Sequence, residues 1–196
     1  KLVKKKYSKV LGIEPTKAAK ISMDKGVNTI KQPLNFNLAK KILNKYSKFD
    51  FIIASNFFAQ TNNLIEILDS IKLILDEKGL LIVEVQYLYD LLFQKGFDSF
   101  HHEHIAYYTA SSIKKVLEKY NLHVFDAERL KVHGGMLRIY VSLHKKTITK
   151  KLKKILSNEN DKNIINKIKK LNLFRIKFSN KIKSLLLNLK KEKKVI

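Results

Sequence analysis

The seven residues Phe49-Asp50-Phe51-Ile52-Ile53-Ala54-Ser55 most narrow what this chain can fold into, because apolar side chains fill nearly every position. A strand with one wet face alternates between apolar and polar residues. One that is apolar throughout belongs in a sheet covered on both sides, which is the habit of parallel α/β folds. Leu80–Val85 repeats the pattern. Between the two runs, apolar residues at 64, 67, 68, 71, 74 and 75 predict an amphipathic helix over Leu64–Leu75, and Lys78-Gly79 a turn into the second strand.

The flanking segments continue the alternation. Val10–Glu14 is a short apolar run ending in a carboxylate. Pro15 opens a helix from Thr16 to about Lys25, which Gly26 closes. A brief strand near Asn28–Ile30 and a helix from about Asn37 to Tyr46 follow. Thr109 is placed to cap a helix running to Tyr120, with Ile113, Val116 and Leu117 on one side. Val124–Leu130 and Leu137–Leu143 read as strands joined through a turn at His133-Gly134-Gly135. The whole predicts an α/β sheet with an antiparallel edge over residues 1–144. Periodicity leaves the strand order open.

Past Lys145 the texture is helical. Ile164, Ile168, Leu171, Phe178, Ile182, Leu185 and Leu189 recur at spacings of three and four, predicting one or two amphipathic helices within a basic arm over 145–196. Those residues hold 17 lysines and one arginine against three acidic residues, +15 of the chain's +23. Such a charge raises a nucleic-acid-binding module as the alternative function. Arginine and stacking aromatics are scarce there, so a solvated lysine face is the preferred reading and nucleic acid is not the expected partner. The chain has no cysteine, which excludes disulfides and thiolate zinc sites within it and suits a cytoplasmic protein. No apolar run is long enough to span a bilayer. The chain opens on Lys1 without a leader pattern, the expectation being a piece of a longer protein.

Three of the six histidines fall in His101-His102-Glu103-His104-Ile105-Ala106-Tyr107-Tyr108. Imidazole exchanges protons near neutrality, so the cluster is a candidate acid–base site. In open α/β sheets ligands bind beyond the carboxyl ends of the strands. Glu14, Ser55, Asn56 and Tyr87 all follow strand-like runs, and an acidic residue in the position of Glu14 can accept from a ribose diol.

Several segments together carry a family resemblance: Phe49 to Asn56; Leu80–Val85 followed by Gln86-Tyr87-Leu88; Phe97-Asp98 leading to His102-Glu103-His104; and His133-Gly134-Gly135-Met136-Leu137-Arg138. The chain resembles the S-adenosylmethionine-dependent C-methyltransferases that act on nucleotide-linked 4-keto-deoxysugars. That resemblance implies a partial Rossmann-like class I methyltransferase sheet lacking its first strand and the glycine-rich loop after it. It also implies an absent N-terminal zinc domain and a tail that connects to an absent C-terminal domain.

For the site, the resemblance implies S-adenosylmethionine held by Glu14, Ser55 and Asn56. His104 is implied as the base, with Glu103 and His101 beside it. Substrate contacts are implied from Tyr87, His102, His133, Gly134 and Arg138. The family commonly carries tyrosine where this chain has His101, and histidine where it has Gln60, which is assigned to substrate binding. Glutamine donates a hydrogen bond but cannot shuttle a proton, so these departures imply either an altered substrate or a non-enzymatic remnant. His102 and His104, two residues apart, would also share a strand face suited to a metal, but the resemblance accounts for them without one. No metal is expected.

Overall fold

The computed structural model describes residues 10–159 and 163–191, in two compact units. The first contains the described residues up to Lys48 together with Ile65–Ile74; the second contains Phe49–Leu64 and the chain from Leu75 onward. In the first unit, β1 (Leu11–Ile13), α1 (Ala18–Asp24) and β2 (Asn28–Ile30) form a βαβ step. Its two strands are parallel, with Gly12 opposite Thr29. Gly26 follows α1 in the left-handed region (φ 75°), the helix-closing role expected of it. Helix α2 (Phe36–Tyr46) is capped by Asn35, whose side chain accepts from the Leu38 N–H at 2.8 Å.

The second unit holds β3 (Phe49–Ser55), β4 (Leu75–Gln86), β5 (His123–Leu130) and β6 (Met136–Ser142) in the order β3-β4-β6-β5. β3 and β4 are parallel, whereas β6 is antiparallel to both β4 and β5. The antiparallel edge is therefore present as the sequence predicts. Helix α3 (Leu64–Ile74) runs directly into β4. Lys78-Gly79 is absorbed in an irregularity of β4, since Phe49 pairs with Leu75 but Phe51 with Leu80. Gly79 is required there: a Cβ would lie 2.7 Å from Leu75 Cδ1 and 2.8 Å from the Asp76 carbonyl oxygen. Two elements absent from the sequence reading follow β4, namely α4 (Leu88–Gln94) and a single 3-10 turn at Phe97–Ser99.

One sheet face makes the core. Leu81, Val83 and Val85 of β4, Leu137, Ile139 and Val141 of β6, and Val124 and Ala127 of β5 are buried with Ile113 and Leu117 of α5 (Ala110–Lys119) and Leu152 of α6 (Lys150–Asn158). Thr109 caps α5 by accepting from the Ser112 N–H at 3.0 Å, and the Ser112 hydroxyl accepts from the Thr109 N–H in return. The other face is open at β3, where Phe51 is 51% and Ile53 59% exposed. The apolar run predicts cover on both faces. Here β3 is the outer strand of its sheet, and among the described residues β1 pairs only with β2.

The tail divides into α6 and the long α7 (Ile164–Lys191); residues 192–196, to which the expected basic arm extends, lie outside the described residues. α7 is held near its middle by aromatic contacts, with Phe97 ring centroids 6.0 Å from Phe174 and 5.6 Å from Phe178. Lys167 Nζ stands over Tyr89 at 4.4 Å. Between α6 and α7, Glu159 accepts from the Ala110 and Ser111 N–H groups at 2.5 and 2.8 Å and from the Tyr87 hydroxyl at 3.0 Å. A carboxylate on the first free N–H groups of a helix satisfies donors that no carbonyl reaches and complements the helix dipole. Glu159→Ala is expected to destabilise the fold by about 2 kcal/mol, read from the midpoint of urea unfolding at constant slope. An unchanged midpoint would show that the tail is not latched through this carboxylate.

Candidate active site

The carboxyl ends of β3 and β4 open onto a cavity of about 270 Å³ lined by Asn56, Gln86, Ser99, His101, His104, His133 and Met136. Local structure explains why these residues converge. Asn56 terminates β3 in the left-handed region (φ 55°), with its N–H bonded to the Glu84 carbonyl of β4 at 2.9 Å. Gln86 is the last residue of β4 and stands opposite Met136, the first of β6. His133 also has a left-handed backbone (φ 48°), at the start of the turn that leads into β6.

The histidine segment is a turn, not a strand: the His104 N–H bonds the His101 carbonyl at 3.1 Å. Rings three residues apart therefore meet, with His101 and His104 centroids 5.5 Å apart, and His104 is also 5.5 Å from Tyr107. The shared strand face imagined for His102 and His104 does not form. Among the described residues no group of three or more His, Asp or Glu side chains is arranged to hold a metal ion. The turn is anchored on both sides. Ile105 N–H bonds the Ala59 carbonyl at 2.7 Å, and the Tyr108 hydroxyl donates to the Phe58 carbonyl at 3.1 Å. The Tyr107 hydroxyl accepts from the His101 N–H at 2.9 Å and donates to the Ser99 carbonyl at 3.2 Å.

Burial, and then the nearby His101, pull the His104 pKa below the usual imidazole value, with Glu103 acting in the opposite direction. His104 is thus favoured as the neutral base. Its Nδ1 is buried without a hydrogen-bond partner, and so is Oε1 of Gln86. Buried polar atoms without a partner are rare in folded proteins, and both of these belong to residues that line the cavity.

Comparison with known proteins then fixes the family. Residues 1–127 match the family described as "Methyltransferase domain". The chain belongs to this methyltransferase family. Within the curated proteins, the C-methyltransferase NovU of Streptomyces niveus is 29% identical over 135 residues, covering 68% of this chain and 32% of NovU. The chain therefore spans about a third of that relative's length. The PH0226 protein of Pyrococcus horikoshii superposes with a TM-score of 0.53 at 13% identity, over 72% of this chain and 74% of that one. A SAM-dependent methyltransferase from Anabaena variabilis gives 0.52 at 11% identity, over 74% and 71% respectively. At such identities the likeness is one of fold, and it establishes the α/β architecture of class I methyltransferases.

This methyltransferase chain brings only some of the residues expected at its site together. His101, His104, His133 and Asn56 line the cavity. His102, Glu103 and Gln60 are exposed beside it, Gln60 with its N–H closing a turn on the Phe57 carbonyl at 3.1 Å. Tyr87 is buried with its hydroxyl on Glu159, and burial followed by the Glu159 charge raises its pKa. Ser55 and Arg138 belong to a row across four strands, Ser55-Glu84-Arg138-Glu128. The Ser55 hydroxyl donates to Glu84 at 2.6 Å, and Arg138 Nε donates to the same carboxylate at 2.7 Å. That serine, followed by the guanidinium, holds the Glu84 pKa below the carboxylate range.

Gly134 and Gly135 turn their freedom toward protein. A Cβ on Gly135 (φ 110°) would lie 2.3 Å from Asp90 Cβ, and its carbonyl accepts from the Tyr87 N–H at 3.1 Å. Glu14 lies in the first unit, after β1, half-buried and accepting from the Thr16 N–H at 2.8 Å. Hydrogen bonding by Thr16 lowers its pKa, so it stays charged. Sequence reasoning missed Gln86, Ser99 and Met136. Gln86 had a visible signal, a polar side chain ending an otherwise apolar strand.

Proposed function

We propose that the parent protein is a C-methyltransferase that uses S-adenosylmethionine to methylate a carbon beside the ketone of a nucleotide-linked 4-keto-deoxysugar. The single observation that carries this reading is a half-buried His104 on the cavity wall, with its pKa lowered and its buried Nδ1 unpartnered. NovU, by its name a C-methyltransferase, supports the carbon as acceptor. Each unit by itself carries chemistry that suits the cofactor: in the first, Glu14 offers a charged carboxylate after a parallel strand, as a ribose diol requires, and in the second, Asn56 stands at the carboxyl end of β3 with a side-chain amide. When bound, S-adenosylmethionine supplies the electrophilic methyl group.

The protein's own part is proton removal. Neutral His104 takes the proton from the carbon next to the ketone, leaving an enolate. His101 or Ser99 is available to donate to the ketone oxygen as charge builds there. His101 thereby takes the place that the family's tyrosine fills, and His133 contacts the sugar. Gly134, Arg138 and Tyr87 support the wall of the site from behind.

The same reading assigns 1–144 to part of a methyltransferase core and 145–196 to a connector. β3 has the composition of a central strand yet exposes Phe51 and Ile53, which favours a further strand beside it in the complete sheet. A zinc domain before the core and a further domain after the tail belong to the same proposal.

The test is incubation of the full-length protein with methyl-labelled cofactor and a nucleotide-linked 4-keto-deoxysugar, with NMR to locate the label. Label on a ring carbon adjacent to the ketone is the expected result. Label on oxygen, or no transfer across a panel of such sugars, rejects the reading.

A further inference from the structure

Gln86 has been assigned no role by the resemblance, yet it is the cavity's most constrained polar side chain. Only 7% of it is exposed. Its Nε2 donates to the His133 carbonyl at 3.3 Å. A carbonyl can only accept, so one N–H of the amide is engaged by His133 and the amide oxygen points away from that carbonyl. That oxygen has no partner. The left-handed His133 backbone and the glycine turn behind it fix the carbonyl, and the carbonyl fixes the amide. The result is a buried acceptor oxygen without a partner, held in one orientation on a residue that lines the cavity.

We propose that Gln86 determines substrate specificity by accepting a hydrogen bond from a ring hydroxyl of the sugar. The proposal rests on the reading of this cavity as the sugar site, and deepens it. The lining contains no Asp, Glu, Lys or Arg side chain, so selection falls to hydrogen bonding by neutral groups. A cavity of about 270 Å³ suits one sugar ring, with the nucleotide carrier outside it. An ether, a ketone or a methylene at the point facing Gln86 leaves its oxygen buried and unsatisfied, so such ligands are rejected. A hydroxyl satisfies it. Sites built to receive a hydroxyl discriminate strongly against analogues that lack one, because the penalty falls on the protein's own stranded group.

The test is isothermal titration of the full-length protein with a series of nucleotide-linked 4-keto-deoxysugars in which each ring hydroxyl is removed in turn. Removal of one particular hydroxyl is expected to weaken binding by roughly 10- to 100-fold. In the isosteric apolar variant Gln86→Met that difference collapses, because affinity for the hydroxylated sugar falls to that of the deoxy compound. In isotope-labelled wild-type protein, the Gln86 side-chain amide resonances shift with the hydroxylated sugar and not with the deoxy one, a readout that does not depend on the variant folding. If the sugars bind but no hydroxyl matters, or the preference survives Gln86→Met, or the amide resonances do not respond, the role of Gln86 is overturned and the sugar site stands. If no member of the series binds wild-type protein, both fall together.

Discussion

Replacing His104 by glutamine in the full-length enzyme lowers kcat/KM for methyl transfer by roughly 10²- to 10⁴-fold, the usual contribution of a positioned general base. Substrate affinity changes little, because glutamine keeps size and hydrogen bonding and loses only the ability to take up a proton near neutrality. The pH dependence of the wild type carries the same information. A base works in its neutral form, and burial together with His101 lowers the His104 pKa from its ordinary 6.5. The acidic limb of kcat/KM therefore lies below 6.5, and His101→Gln moves it back toward the ordinary value by removing the nearby like charge. An acidic limb at or above 6.5 in the wild type, or full activity in His104→Gln, would show that another group takes the proton. Stability follows the same sign. With the folded pKa depressed, the unfolded chain binds the proton first, so stability is lost as pH falls from about 6.5 through the folded value.

Gly135→Ala is expected to cost roughly 3–5 kcal/mol, a large part of the total stability of a domain this size. Two costs combine. A backbone at φ 110° is closed to L side chains, and the new Cβ would sit 2.3 Å from Asp90 Cβ and 2.7 Å from its Oδ2. Asp90 cannot retreat easily, since it is buried and paired with Arg129. Gly134→Ala is the control. Its φ is 75°, but its Cβ would meet Ser99 and Leu91 only at 3.5 and 3.6 Å, so about 1 kcal/mol is expected from the backbone alone. Urea unfolding of both variants reads the contrast. Equal losses would mean that the approach to Asp90 is not what requires glycine at 135.

Much of this architecture was legible in the residues because it rests on local rules. Apolar runs marked β3 and β4, and Thr109 announced its helix by the chemistry of its side chain. The spacing from Ile164 to Leu189 announced α7. The short α4 was hidden, as its seven residues mix Tyr, Asp, Phe and Gln and carry no side-chain cap. The exposure of β3 was hidden for another reason. Its sequence fits a place between two covered faces, but whether those covers exist depends on the neighbours and not on the strand itself.

The division is sharpest at the cavity. The sequence alone determined that proton-exchanging side chains would crowd into His101–Tyr108, and that a glycine turn would precede the last strand. Only the tertiary structure decided which of them meet. The turn at 101–104 directs His101 and His104 into the cavity and leaves His102 and Glu103 outside. The register of β4 against β6 sets Gln86 beside Met136 while committing Arg138 to Glu84, and the tail carries Glu159 to Tyr87. Each of these outcomes joins residues distant in the chain, and residue type fixes what a side chain can do but not which neighbour it will face.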